Sequence, residues 1–201
     1  AILVPLYIKY GTLGGCILIF RTTIPLKNGK SCTLRSAEPG DAEAFVHYSL
    51  QLRGETDYLC AGPEEAEHDP QKEALRLEAA KSSPTDVTLC AFVDGELAGS
   101  ASVNLLRNRR KMLHRAGFGI GVLAAYQGLG IGNALTQQCI FCAKQAGFVQ
   151  LELEVVAENK KALRLYQRHG FIVYGRNPLG FRCGDGRWQE LVLMRLELGN
   201  A

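Results

Sequence analysis

Several absences narrow what this chain of 201 residues can be. Charge of one sign is not in excess: 23 Lys and Arg face 20 Asp and Glu, a net +3. No basic stripe is interleaved with aromatics, so nucleic acid is excluded as the partner. Histidines number four, and the seven cysteines, at positions 16, 32, 60, 90, 139, 142 and 183, include one C-x-x-C and no second pair. That spacing predicts neither a metal site nor a disulfide framework. The thiols read instead as reduced, mostly buried groups of a cytoplasmic protein. Repeats, low-complexity tracts and long linkers are missing, and 47% hydrophobic residues suit one soluble domain with a sizeable core. Only residues 1–20 form a long apolar run, and Pro5, Lys9 and three glycines interrupt it. With no basic region before it and no small-residue cleavage site it makes a poor membrane anchor. Residues 1–30 are therefore expected to be an apolar extension of unassigned role, packed on the domain or mediating self-association in a homodimer.

What remains is a regular alternation of strand and helix signals. A first strand is expected over 31–35. An amphipathic helix over 41–52 turns Phe45, Tyr48 and Leu52 inward, and a second runs over 70–82 behind an Asp69 cap and Pro70. Strands 87–93 and 96–106 flank the hairpin turn Asp94-Gly95. Strand 116–123 precedes a helix over 130–146, whose inner stripe is Ile131, Leu135, Cys139, Cys142 and Ala146 and which Gly147 ends. Strand 150–156, a helix from 159 to 169, and strands 171–176 and 188–197 complete the chain. The order predicts an α/β fold, a mixed sheet with helices on both faces.

Between strand 116–123 and its helix lies Gln127-Gly128-Leu129-Gly130-Ile131-Gly132. A glycine turn opening a helix leaves backbone N–H groups unpaired in the positive end of the helix dipole, a natural seat for phosphate. Gly130 and Gly132 would let a diphosphate approach those amides. The loop has neither the Gly-Lys-Ser/Thr ending of a P-loop nor the G-x-G-x-x-G order, so nucleotide hydrolysis is not expected. A ligand-free left-handed turn remains the alternative for the loop alone.

Gln127-x-x-Gly130-x-Gly132, followed by Asn159-x-x-Ala162-x-x-Leu165-Tyr166-x-x-x-Gly170-Phe171, resembles the two signatures of the GCN5-related N-acetyltransferase (GNAT) family. The resemblance covers residues 31–197 and suggests a GNAT domain over 31–198, with a mostly antiparallel sheet whose strands 116–123 and 150–156 splay apart. It implies an acetyl-CoA-dependent N-acetyltransferase that transfers acetyl to a primary amine of a small molecule or protein by direct attack in a ternary complex, without metal. A ribosomal-protein or N-terminal acetyltransferase, or a non-catalytic acyl-CoA binder, would look alike. By resemblance, Val122, Gln127, Gly128, Leu129, Gly130, Ile131, Gly132, Asn133, Asn159 and Tyr166 would bind the cofactor. Tyr166 would also protonate the departing sulfur, unless it only fills the core.

The family's usual carboxylate on the strand before the glycine loop is missing from 116–123. Glu152 and Glu154, on one face of the next strand, are the alternative bases, because a paired carboxylate can have a raised pKa; they could equally be solvated or paired with arginines. Glu55 and Asp57, in an acidic stretch without Lys or Arg, would attract a cationic acceptor. Arg107, Arg109, Arg110, Lys111 and Arg115 form a basic cluster, either solvated or in contact with the phosphates of coenzyme A.

Overall fold

Turn chemistry divides the chain at the expected points. In the computed structural model, which describes residues 6–10 and 16–199 and side chains from position 20 on, Asp94 (φ 52°) and Gly95 (φ 87°) both adopt the positive φ of a tight hairpin turn. Asp69 caps its helix by accepting from the Gln71 amide at 2.8 Å, with Pro70 in the first turn. Gly147 follows its helix at φ 81°.

The elements in chain order are β1 (Leu6–Tyr10), β2 (Cys16–Pro25), β3 (Ser31–Ser36), α1 (Ala42–Gly54), α2 (Pro70–Ser82), β4 (Val87–Val93), β5 (Glu96–Leu105), β6 (Arg115–Val122), α3 (Ile131–Gln145), β7 (Gln150–Val156), α4 (Lys160–Arg168), β8 (Ile172–Arg182) and β9 (Trp188–Glu197). Among the described residues the strands form one sheet of order β1-β2-β3-β4-β5-β6-β7-β9-β8. Each neighbouring pair is antiparallel except β6 and β7.

Two apolar clusters cover the two faces. On one, α3 and α4 pack Ile131, Leu135, Cys139, Cys142 and Tyr166 against Val103, Phe118, Leu151 and Leu153. On the other, α1 and α2 bring Phe45, Tyr48 and Leu77 against Cys90, Leu97 and Leu123. A paired Arg35 and Asp41 (2.6 and 2.7 Å) tie the start of α1 to β3. The cysteines of the C-x-x-C thus serve as core groups on the inner stripe of α3, and burial pushes the Cys142 thiol up to about 11.

The expected boundary at residue 31 does not coincide with an edge of the sheet. Strand β2 pairs with β3 from Arg21↔Arg35 to Pro25↔Ser31, and Phe20 and Leu26 are buried in the core beside α3. Phe20, Ile24 and Leu26 are apolar because this stretch continues the sheet over the core. The remaining expectations on residues 1–5 and 11–15 fall outside the described residues.

Helix α1 approaches β6 closely. A Cβ built on Gly121 would overlap Leu52 Cδ2 and lie 2.7 Å from the Tyr48 hydroxyl. Gly121→Ala is therefore expected to cost about 1–3 kcal/mol through overpacking, read as a lowered denaturant midpoint at constant m-value. An unchanged midpoint would show that α1 can move aside freely.

Candidate active site

The site begins where strand pairing fails. β6 and β7 pair in parallel only at Arg115↔Gln150, Ala116↔Leu151 and Gly117↔Glu152; both then continue, to Val122 and Val156, without pairing to each other. The β5–β6 ladder tells which main-chain groups the gap exposes. Leu123 N donates to Ala98 O (3.0 Å) and Leu106 N to Arg115 O (3.2 Å). Antiparallel alternation then turns the N–H and C=O groups of residues 118, 120 and 122 away from β5, toward β7. Past Gly117 no strand meets them.

Beyond Val122 the chain makes a 3-10 turn, Ala124–Tyr126, and passes through Gly128 (φ 79°) and Gly130 (φ 106°) into α3. Those two positions need glycine for the backbone itself. Gly132 does not: its Cβ would meet only Leu165 Cδ2 at 3.6 Å and Val122 Cγ2 at 3.9 Å, an ordinary contact. Among the described residues, the N–H groups of 128–133 find no acceptor outside the regular helix, and α3 has no side-chain cap. Six consecutive amides at a helix N-terminus fit a diphosphate, and the unpaired edge of β6 fits an amide-bearing arm laid along it. The loop is braced on one side by Lys27 N donating to Leu129 O at 3.3 Å. On the other, Gln127 donates to Val122 O (3.1 Å), Lys161 reaches the Gln127 amide oxygen (3.4 Å) and His169 Nε2 meets Asn133 Oδ1 (3.0 Å). Asn159 caps α4, accepting from Ala162 N at 3.1 Å.

Tyr166 projects from α4 into the apolar cluster beside the gap. Its ring meets Phe118 edge-on at 6.1 Å and Phe171 at 5.8 Å, it is 7% exposed, and its hydroxyl bonds no group among the described residues. Burial pushes the phenol up to about 12. Phe118 also lines a cavity of about 380 Å³ that opens in the gap, together with Gly117, Gly119, Ser102, Asn104, Leu106, Glu152, Leu153, Glu154 and Tyr174.

The two carboxylates of β7 part company here. Glu152 is 8% exposed; Arg115 clamps both of its oxygens, one at 2.7 Å, while Gln150 (2.8 Å) and the Tyr174 hydroxyl (3.3 Å) also donate to it. The Arg115 guanidinium outweighs burial and holds its carboxyl below the usual range. The raised pKa expected of an interacting pair is thus reversed at Glu152, because a cation lies closer than Glu154 does. Glu154 is exposed and has no hydrogen-bonding partner among the described residues, so of the two carboxylates lining the cavity it is the free one.

Other expected site residues are dispersed. Glu55 sits at the end of α1 and accepts from Ala124 N at 2.7 Å, bracing the turn after β6. Asp57 is exposed on the following loop, near enough to Arg187 for their charges to interact. In the acidic stretch, Glu65, Glu67 and Asp69 are engaged by the amides of Gly62, Asp69 and Gln71. The basic cluster does not reach the glycine loop: residues 107–111 precede β6, and the loop follows it, some 23 Å away at about 3.3 Å per residue. Sequence reasoning missed Ser102, Asn104 and Tyr174. Tyr174 lies at a register shift between Val173 and Gly175, a bulge that re-aims a side chain and gives little local signal.

A splayed β6–β7 pair with a glycine-rich turn on a helix N-terminus defines an acyl-CoA N-acyltransferase architecture. The chain belongs to the acetyltransferase (GNAT) family, whose profile matches residues 53–171. It is an N-acetyltransferase with acetyl-CoA as cosubstrate. The chain is similar to the L-amino acid N-acetyltransferase AaaT of Escherichia coli (27% identity over 146 residues, 71% of this chain and 83% of that one). It is also similar to streptothricin acetyltransferase of Streptomyces lavendulae (30% over 169 residues, 74% and 85%). The yncA structure from Salmonella typhimurium, solved with acetyl-CoA, shares the fold at a TM-score of 0.76 and 23% identity, covering 85% of this chain and 95% of that one. No helix among the described residues is long and apolar enough to cross a membrane.

The Arg115–Glu152 clamp has a definite pH signature. A carboxyl whose folded pKa is depressed adds stability above its unfolded pKa, near 4.5, and loses it as pH falls through the folded value. Arg115→Met should cost about 2 kcal/mol at pH 7 and flatten the acid limb of stability. A variant with an unchanged acid limb would show that the clamp does not hold the Glu152 carboxyl down.

Proposed function

We propose that this enzyme acetylates the primary amine of a small, amino-acid-sized acceptor held in the cavity between β6 and β7. The observation that carries this reading is the cavity itself, about 380 Å³ with one unpaired carboxylate, Glu154, in its wall. Glu154 accepts a proton from the acceptor ammonium, directly or through water, leaving a neutral nucleophile. The amides of residues 128–133 hold the diphosphate, Gln127 braces their loop, and Asn159 orients the pantetheine arm beside α4. Acetyl-CoA supplies the acyl thioester. The Val122 N–H donates to the thioester oxygen as negative charge develops there. Tyr166 keeps its proton on Oη for the leaving sulfur, which its burial beside Phe118 favours; as the C–S bond breaks the acylated nitrogen releases one proton, which returns through solvent to Tyr166.

The acceptor class follows from the rim. Arg107, Arg109, Arg110 and Lys111 follow Leu106, a cavity-lining residue, and none of them has an acidic partner among the described ion pairs. They would draw in an acceptor that carries a carboxylate beside its amine, as the name of the Escherichia coli relative suggests. Work in the cytoplasm is supported by Cys139 and Cys142, buried and unpaired one helical turn apart. Self-association is supported by exposed Ile172, Val173, Leu179 and Trp188 on the β8–β9 hairpin.

Two measurements test this reading. In a panel of amines assayed by CoA release, L-amino acids should exceed their carboxamides by about tenfold in kcat/KM, a preference that shrinks in high salt; equal rates would discard the carboxylate. Tyr166→Phe should lower kcat by about 10²-fold or more and leave CoA affinity by calorimetry nearly unchanged. Because the phenol titrates only near about 12, the wild type should show no Tyr166-dependent alkaline fall below about pH 11. A limb near pH 10 that vanishes in Tyr166→Phe would contradict the burial argument.

A further inference from the structure

Helix α1 reaches into the β5–β6 ladder with one atom. The Tyr48 hydroxyl accepts from Ser100 N–H at 3.1 Å and donates to Gly121 C=O at 2.9 Å, standing between two groups that face each other across the ladder. Gly121 C=O and Val122 N–H belong to one planar trans peptide, so they point in opposite directions. The carbonyl faces β5; the N–H faces the opening beside β7. We propose that Tyr48 is a positioning residue for acetyl transfer, whose hydroxyl fixes the Gly121–Val122 peptide and thereby aims the Val122 N–H at the thioester oxygen. The inference rests on the acyl-transfer reading above and goes beyond it, since Tyr48 touches no reacting atom.

The surroundings leave that peptide little freedom. Tyr48 is 7% exposed, its ring packed edge-on to Phe45 at 6.1 Å. Leu52 and the hydroxyl itself occupy the space where a Gly121 side chain would start, and a Cβ at Gly99 would lie 3.0 Å from Gly121 O. On the open side, Gln127 engages Val122 C=O at 3.1 Å, which leaves the N–H as the donor facing the gap. Burial raises the phenol further, so the proton it donates to Gly121 is retained at every working pH. An oxyanion donor acts through its preorganised direction, so loosening the peptide costs rate rather than cofactor affinity.

The test compares Tyr48→Phe with wild type and with Leu52→Ala, which loosens the same α1–β6 contact without removing a hydroxyl. The readout is the carbonyl stretch of acetyl-CoA labelled with ¹³C at the thioester carbon, bound to each protein, alongside kcat and the calorimetric Kd for CoA. Tyr48→Phe should shift the band toward its position in free acetyl-CoA and lower kcat by about 10- to 100-fold, with Kd within about twofold of wild type. Leu52→Ala should lose stability and keep the wild-type band. Measuring in trimethylamine N-oxide, which favours the folded state, keeps a marginal variant readable. An unmoved band in Tyr48→Phe, or kcat and CoA affinity falling in step, overturns the proposal. A wild type that binds no CoA would instead overturn the reading on which it rests.

Discussion

The parting of β6 from β7 after three paired residues is the constraint on which the rest of the molecule depends. A sheet interior normally pairs every N–H and C=O, because an unpaired buried group costs free energy on the scale of a hydrogen bond. Here a row of such groups is left facing a gap in the middle of the sheet, and surrounding elements hold it open. Helix α3 departs from the end of β6 and packs on β4, β5 and β6. Strand β9 pairs with β7 from Gln150 to Val156. With β6 paired to β5 on one side and β7 to β9 on the other, each strand keeps its outer ladder while the inner edges part. The gap is left for a ligand that can pair like a strand.

Around that gap, like residues acquire unlike chemistry from their neighbours. Glu152 and Glu154 are two positions apart on one strand face. One is clamped by Arg115, Gln150 and Tyr174 and serves as fixed negative charge; the other stands free. The tyrosines divide in the same way. Tyr166 is buried among Phe118 and Phe171 with an unbonded hydroxyl, Tyr174 donates to a carboxylate, and Tyr48 is built into the ladder. Two features lie at opposite ends of β6: the unpaired amides of the glycine turn after it, and a basic loop before it. That separation keeps the cations of the loop away from the glycine turn.

Elements and the glycine turn were legible in the residues because their causes are local. Caps, hairpin glycines, the α3 stripe from Ile131 to Cys142, and the Gln127-x-x-Gly130-x-Gly132 spacing each act over a few positions, and the structure has them where they were expected. Less was legible in the site. The role of Glu152 depended on Arg115, 37 residues earlier. The cavity's Tyr174 depended on a bulge in β8, and the bonding of the Tyr48 hydroxyl on groups 52 and 73 residues away. Apolar residues before position 31 had no assigned role in the sequence, and residues 21–25 acquire one only through their pairing with β3.

By itself, then, the amino-acid order determined the strands and helices, their sequence along the chain, and a glycine turn able to seat a diphosphate, since backbone preference and side-chain period act between near neighbours. The tertiary structure alone decided which carboxylate stays free, which phenol keeps an unshared proton and which end of β6 faces the cations. Charge and burial act through space, and the partners that set them come from strands and helices distant in the chain.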